Sequence, residues 1–216
     1  SAAGGKLPAT GLNVAITYLG DGASSQGDVH EAMNFAAVFK APVVFFVQNN
    51  GWAISVPTER QVAGGSVAAR GAGYGIPAIQ VDGNDAATVL EATRRAVAHA
   101  RAGHGPAIVE AMTYRRGPHA TSDDPGRYRT LDEERADGGA DPIVRLRERI
   151  LAEGAASEEA LNAADAAGAA EAEEVRAGVI ALGPRPGAEM FDLVFQEPTN
   201  ELLRQKKMWR EESEHA

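Results

Sequence analysis

Apolar positions along the chain alternate between two kinds of run. Val14-Ala-Ile-Thr-Tyr-Leu19 is short, β-branched and aromatic, and Gly20-Asp21-Gly22 closes it, which predicts a buried strand ending in a loop. Asp28 and Glu31 have capping-box spacing, and Ala32, Phe35, Ala36 and Phe39 recur at helical period. That helix ends before Ala41-Pro42. Val43-Val-Phe-Phe-Val-Gln48 follows without alternation, as in a strand covered on both faces, and Asn49-Asn50-Gly51 breaks it. Strand, helix and strand at this length imply a parallel pair joined by a crossover.

The pattern then repeats. Thr58 to Ala69 reads as a helix interrupted by Gly64-Gly65, Ala78 to Val81 as a strand, Asp85 to Ala102 as a long helix, and Ala107 to Met112 as a strand. Thr113 to Thr130 is polar, aperiodic and too long for an ordinary connector. From Pro142 the chain turns helical: Ile143, Val144, Leu146, Ile150 and Leu151 form an amphipathic stretch. Ser157 to Leu182 is an Ala/Glu-rich solvated helix, and Glu201 to Glu212 a terminal one. The expected fold class is α/β, a parallel sheet with helices on both faces, over residues 1–135. A helical C-terminal extension follows over 136–216.

Composition narrows the partners. Thirty acidic against 21 basic residues give a formal charge of −9, which argues against nucleic acid and anionic membrane. The longest apolar run, Ala41 to Val47, is far short of a membrane span. Ser1 to Thr10 lacks the basic-then-apolar pattern of a secretory leader, so a cytoplasmic location is expected. With no cysteine, disulfide scaffolds, thiolate metal sites and a Cys nucleophile are excluded.

Ligands of open parallel sheets bind beyond the carboxyl ends of the strands. Two such ends carry unusual residues here: Gly20-Asp21-Gly22-Ala23-Ser24-Ser25 and Asn49-Asn50-Gly51. If the strands are neighbours, Asp21 and Asn50 meet at one sheet edge. A carboxylate and an amide carbonyl are hard oxygen ligands, which magnesium takes together with phosphate oxygens. Glycines let backbone amides approach an anion. The pair therefore suits a magnesium-bound diphosphate. Taken singly, each tripeptide reads equally well as a turn.

Gly20-Asp21-Gly22 through Asn49-Asn50 resembles the thiamine diphosphate fingerprint. Gly20-Asp-Gly-Ala-Ser-Ser-Gln-Gly-Asp-Val-His-Glu-Ala-Met-Asn-Phe35 is similar to the alpha subunit of 2-oxo acid dehydrogenases, as is Asn49-Asn-Gly-Trp-Ala-Ile-Ser-Val-Pro-Thr58. The likeness continues in Ala69-Arg-Gly-Ala-Gly-Tyr-Gly-Ile76, Val81-Asp-Gly-Asn84, Glu110-Ala-Met-Thr-Tyr-Arg115 and Gly117-Pro-His-Ala-Thr-Ser-Asp-Asp124. It runs from about residue 10 to the C-terminus and corresponds to the second part of such a subunit. The family's preceding portion, which supplies further cofactor and substrate contacts and completes the sheet, is expected to lie outside this sequence.

The resemblance implies roles residue by residue. Asp21 and Asn50 would ligate magnesium through side chains and Trp52 through its carbonyl. Gly20, Asp21, Gly22, Ala23, Ser24, Ser25 and Gln26, with Asn50, Gly51, Trp52, Ala53 and Ile54, would line thiamine diphosphate. His119 matches the catalytic histidine that reaches the cofactor, and Arg115, Asp123, Tyr128 and Arg129 match residues that order its loop. The implied activity is oxidative decarboxylation of a 2-oxo acid with acyl transfer to a lipoyl-bearing acyltransferase. The His119-Ala-Thr-Ser-Asp-Asp124 run favours a branched-chain substrate, with pyruvate next. A beta subunit, in an alpha2-beta2 heterotetramer, would supply the glutamate that activates the cofactor. Two positions depart from the pattern: Gln48 stands where some relatives carry a diphosphate-binding arginine, and Ala120 where animal relatives carry a regulatory serine. The competing readings are a non-catalytic fragment that scaffolds a partner, an acetoin dehydrogenase subunit, and a Rossmann-like nucleotide binder. The last lacks a Gly-x-Gly-x-x-Gly after the first strand.

Overall fold

The computed structural model describes residues 13–137 and 141–213. Ser1 to Thr10, read above for a leader, lies outside the described residues. The chain divides into two compact units, Ser1–Ala155 and Ala156–Ala216.

The first unit is built on four parallel strands: β1 (Ala15–Gly20), β2 (Val43–Asn49), β5 (Ala78–Asp82) and β6 (Ala107–Met112), in the order β1-β2-β6-β5. A two-residue antiparallel pair, β3 (Trp52–Ala53) and β4 (Val56–Pro57), follows β2. Gly20 pairs with Gln48, and Asn49 with Met112, so β1, β2 and β6 end at nearly the same level. The expected adjacency of the first two strands is therefore met.

Period-two alternation in β2 builds the core. Phe45 and Val47 point to one face, where they pack with Ile108 and with Met33 and Ala36 of α1 (Gly27–Phe39). Val44 and Phe46 point to the other, packing with Val109 and with Ala92 and Ala96 of α3 (Ala86–Arg101). Both faces of β2 are thus covered, which accounts for its unbroken apolar run. Alanine on the inner face of α3 lets that helix lie close to the sheet. Asp85 caps it, its carboxylate accepting from the Ala87 and Thr88 N–H groups at 3.0 and 3.1 Å.

Two expectations are corrected. The helix over Thr58 to Ala69 does not form: only 3₁₀ turns at Thr58–Arg60 and Ala68–Arg70 appear, followed by the short α2 (Gly71–Tyr74). Gly64 and Gly65 both adopt positive φ, 84° and 71°, which no α-helix accommodates. The Asp28/Glu31 capping box is also absent. α1 starts two residues earlier, behind Gln26, with no side-chain cap, and Asp28 accepts instead from the adjacent Val29 N–H at 2.8 Å.

After β6 come the long polar loop, α4 (Leu131–Asp137) and α5 (Pro142–Ala152). Asp141 caps α5 and Pro142 occupies its first turn. Although α5 begins past residue 135, it falls within the first compact unit. Its Arg145 pairs with Asp82 at 2.8 Å and Asp85 at 3.7 Å. The second unit holds α6 (Glu158–Ala181), capped by Ser157, and α7 (Asn200–Ser213). A 3₁₀ segment at Gly187–Phe191 precedes α7, and Trp209 packs against Gly187 and the Phe191 ring. Among the described residues no helix is long and apolar enough to cross a membrane.

Candidate functional site

Because all four strands run parallel, their carboxyl ends lie along one edge, and that edge gathers the chemistry. Asp21 leaves β1 and is almost fully buried, 1% exposed. Its Oδ2 accepts from the Thr58 hydroxyl at 2.6 Å and the Gln61 amide at 2.9 Å. Its Oδ1 accepts no hydrogen bond, and no cationic side chain among the described residues pairs with it. A buried carboxylate with neutral donors on one oxygen and none on the other lacks its counter-charge. Among the described residues there is no cluster of three acidic or histidine side chains able to hold a metal. A cation here would thus draw on one carboxylate, amide and carbonyl oxygens and its own ligand, which suits magnesium held with a diphosphate.

The second strand end shapes the partner loop. Asn49 is fully buried; its Oδ1 accepts from the Gly51 N–H at 3.0 Å and lies 3.2 Å from the Thr58 hydroxyl. Gly51 has φ 84°, so the turn needs glycine there. Asn50 folds its own Oδ1 onto the Trp52 N–H at 3.2 Å, an Asx turn that keeps the carbonyl oxygen at the strand end. Ile54, at φ 56°, turns β3 into β4 in a conformation rarely adopted by a β-branched residue.

The first strand end closes against this hairpin. Gly22 lies so near β3 that an added Cβ would sit 2.7 Å from the Ala53 Cβ. Gly22→Ala is expected to push β3 outward and to cost about 1–3 kcal/mol; a denaturant midpoint equal to wild type would contradict the packing. Ala23 to Ser25 form a 3₁₀ turn with Ser24 fully buried, its hydroxyl bonding the Asp21 carbonyl at 2.5 Å. Arg70 reaches across from its own turn and donates to the Ser24 carbonyl at 2.5 Å and the Ser24 hydroxyl at 3.0 Å. Gln26 ends this turn and precedes α1, so the helix N-terminus opens beside it.

The polar loop leaves β6 alongside the same edge: Thr113 N–H donates to the Asn49 carbonyl and Arg115 N–H to that of Asn50. Arg115 bonds the Ile54 carbonyl at 2.6 Å and the Tyr128 hydroxyl at 2.7 Å. It also donates a long hydrogen bond, 3.5 Å, to the Trp52 carbonyl. Tyr128 donates to Asp123 at 2.6 Å, and Asp123 also accepts from the His119 N–H at 2.8 Å. The Tyr128 hydroxyl and the His119 N–H hold the Asp123 carboxyl below its ordinary range. An open cleft of about 450 Å³ lies between hairpin and loop, lined by Ile54, Ser55, Ser122, Asp123 and Tyr128 among others.

The structure therefore brings Asp21, Gly22 and the Asn50–Ile54 hairpin together. The His119 backbone is tied into the loop, but its imidazole is exposed and bonds neither Asp21 nor Asn50. Sequence reasoning missed Asn49, Thr58, Gln61, Arg70 and Glu110. The available signal was Glu110, a lone charge inside an apolar strand.

The fold is thus a parallel α/β domain that gathers Asp21, Asn50 and their loops at its strand ends. The model for the dehydrogenase E1 component matches residues 5–179. The chain belongs to that family. It is 45% identical over 200 residues, 93% of its length, to the 3-methyl-2-oxobutanoate dehydrogenase subunit alpha of Mycobacterium tuberculosis, covering 54% of that protein. It is 41% identical over 199 residues to the pyruvate dehydrogenase E1 component subunit alpha of Staphylococcus epidermidis, covering 92% of this chain and 54% of that one. Its identity to the corresponding subunit of Staphylococcus aureus is 51% over 150 residues, 69% of this chain and 40% of the relative. The chain spans about half the length of these curated relatives.

Proposed function

We propose that this chain carries the magnesium and diphosphate half of the cofactor site in the alpha subunit of a thiamine diphosphate-dependent 2-oxo acid dehydrogenase. The observation that carries the reading is Asp21, buried without a counter-charge where β1 and β2 end side by side. Asp21 Oδ1, the Asn50 amide oxygen and the Trp52 carbonyl would hold the metal. The Gly20–Gln26 segment and the N-terminus of α1 would receive the diphosphate, and the Gly51–Ile54 hairpin would line the rest. Arg70 adds positive charge on the Ser24–Ser25 side, where Gln48 supplies none.

The cofactor, when bound, supplies the carbon nucleophile for decarboxylation. The chain's own contributions are electrostatic and positional. The buried Asp21 carboxylate would hold a metal at a site where charges interact through a lower dielectric than in bulk water. The loop anchored by Asp123 and Arg115 presents His119, which takes or gives a proton at an imidazole nitrogen. Closed over the hairpin, that loop excludes solvent from the reacting centre. The substrate is a 2-oxo acid, branched-chain in preference to pyruvate, and the acyl group passes to a lipoyl-bearing acyltransferase. A beta subunit completes the assembly in the cytoplasm as an alpha2-beta2 heterotetramer.

The test is co-expression with a beta subunit and measurement of decarboxylation with 3-methyl-2-oxobutanoate and pyruvate. Turnover is expected with the branched acid ahead of pyruvate. In His119→Ala it should fall by about 10²–10⁴-fold, the usual share of a positioned acid or base, with cofactor binding retained. An assembled complex without turnover would replace this reading by the scaffold one.

A further inference from the structure

We propose that Glu110, which no part of the mechanism above uses, is a positioning residue. From within the sheet it locks the two loops that frame the cation and diphosphate site. The inference rests on the reading of that site given above.

Glu110 sits in the middle of β6, paired with Val47 on one side and Gln80 on the other, and is fully buried. Its side chain lies on the same face as Ile108, within an apolar cluster that includes Val62, Val67 and Ile76. Among the described residues it has no ion-pair partner. Five neutral donors converge on it instead. Oε1 accepts from the Asn49 amide at 2.9 Å and the Val67 N–H at 3.0 Å. Oε2 accepts from the Ser66 hydroxyl at 2.6 Å, the Ala68 N–H at 2.9 Å and the Gln80 amide at 3.3 Å. Burial alone pushes this carboxyl upward, but the bonds from Ser66, Ala68, Asn49 and Val67 outweigh it and hold the group below its ordinary range. It is an acceptor on both oxygens.

Between them the two oxygens hold two loops: Oε1 accepts from both, and Oε2 holds the second through Ser66 and Ala68. An acceptor at Oε1 admits only the NH₂ end of Asn49, so the amide cannot flip. The Asn49 carbonyl oxygen is thereby aimed at Gly51 N–H and Thr58, which sets the turn carrying Asn50. Thr58 in turn donates to Asp21. Through the Val67 N–H on Oε1 and the Ala68 N–H on Oε2, Glu110 also pins the segment that leads to Arg70, whose guanidinium holds Ser24. One buried charge therefore reaches the end of β1 by two routes, Asp21 through Asn49 and Thr58, and the Ser24 turn through Arg70. Apolar residues would fill this position at less desolvation cost. What they could not supply is an acceptor facing two loops at once.

Glu110→Gln keeps the shape and disturbs the pattern. Whichever way the new amide turns, its NH₂ faces Val67 N–H or Ala68 N–H, so the 66–70 segment loses a bond in either orientation. Val109→Ala, the adjacent buried residue on the opposite face, is the control for plain destabilisation. Two measurements are made on the full chain. The first is hydrogen exchange without ligand: Glu110→Gln should accelerate exchange across 66–70 by about 10-fold or more, and Val109→Ala should not. The second is magnesium titration at saturating thiamine diphosphate, where Glu110→Gln should weaken magnesium by about 10–100-fold, as loss of an outer-shell partner does. Val109→Ala should lower the melting temperature and leave the magnesium constant unchanged.

Equal exchange in the two variants would overturn the assignment, as would a Glu110→Gln magnesium constant equal to wild type. If wild type itself shows no magnesium-dependent binding, the reading of the cation site fails. The exchange comparison still decides whether Glu110 holds the loops. Should Glu110→Gln fail to fold, Asn49→Ala interrupts the first route alone and is expected to raise exchange at Gly51 to Thr58 without affecting 66–70. Unchanged exchange at Gly51 to Thr58 would refute that route.

Discussion

Asp21→Ala is expected to abolish magnesium-dependent binding of thiamine diphosphate. The effect should exceed about 100-fold, the upper end of what loss of an outer partner costs a metal site, because here a ligand itself is removed. The direction follows from charge. Asp21 is buried beside neutral donors with one oxygen unused, so in the absence of a cation it is a cost to the fold. Removing it should accordingly leave the ligand-free chain as stable as wild type or more so, while binding disappears. Asp21→Asn separates charge from shape: it keeps an oxygen and loses the negative charge, and should bind magnesium nearly as poorly as Asp21→Ala. Asn50→Ala should weaken binding less, since a neutral amide oxygen is the weaker ligand. Calorimetric titration with and without magnesium, together with thermal unfolding of the ligand-free chains, checks all three. Undiminished binding in Asp21→Ala would remove the metal assignment. A large loss of ligand-free stability would instead make Asp21 a structural residue.

The sheet was legible because its strands obey a simple rule. A strand covered on both faces lacks polar alternation, and Val43–Gln48 is recognised on that ground. Asp21 and Asn50 were legible because strand ends in a parallel sheet are where ligands bind. The stretch between Thr58 and Ala69 was misread since local composition favours a helix, and only the positive φ of Gly64 and Gly65 forbids it. That conformation is set by the packing of Val62 and Val67 into the core and by Glu110 drawing Val67 and Ala68 inward. Partners more than thirty residues away decided it, beyond the reach of any local pattern. The same distance hid Thr58, Gln61 and Arg70, whose roles depend on what lies across the edge. His119 is singled out by its flanks alone; in the structure its backbone N–H donates to Asp123.

Replacing Arg129 should open the His119 loop without touching cofactor affinity. Its guanidinium, buried to 1% exposure, donates to the Arg115 carbonyl at 2.5 Å and to those of Arg116 and Gly117 at 3.2 Å. Three successive carbonyls leaving β6 thus converge on one planar fork, which also lies over the Tyr114 ring at 5.3 Å. A lysine offers a point charge that cannot span them, so Arg129→Lys should resemble Arg129→Ala more than wild type. Losing charged hydrogen bonds of this kind costs about 3 kcal/mol, equivalent to a more than 100-fold rise in the open population of the loop. Trypsin reports it directly: cleavage after Arg115 and Arg116 should accelerate by that order. Decarboxylation should fall in parallel while magnesium and thiamine diphosphate still bind. The Asp123 clasp works in series with this fork, and its pH dependence has a definite sign. With its carboxyl held below the ordinary range, the clasp is complete above that range and releases only as pH falls through the lowered value. In wild type, protection of the loop should therefore persist through neutral pH and fail in acid. In Arg129→Ala it should be weak at every pH. Protection equal to wild type in that variant would show that the loop is held by something other than its buried arginine.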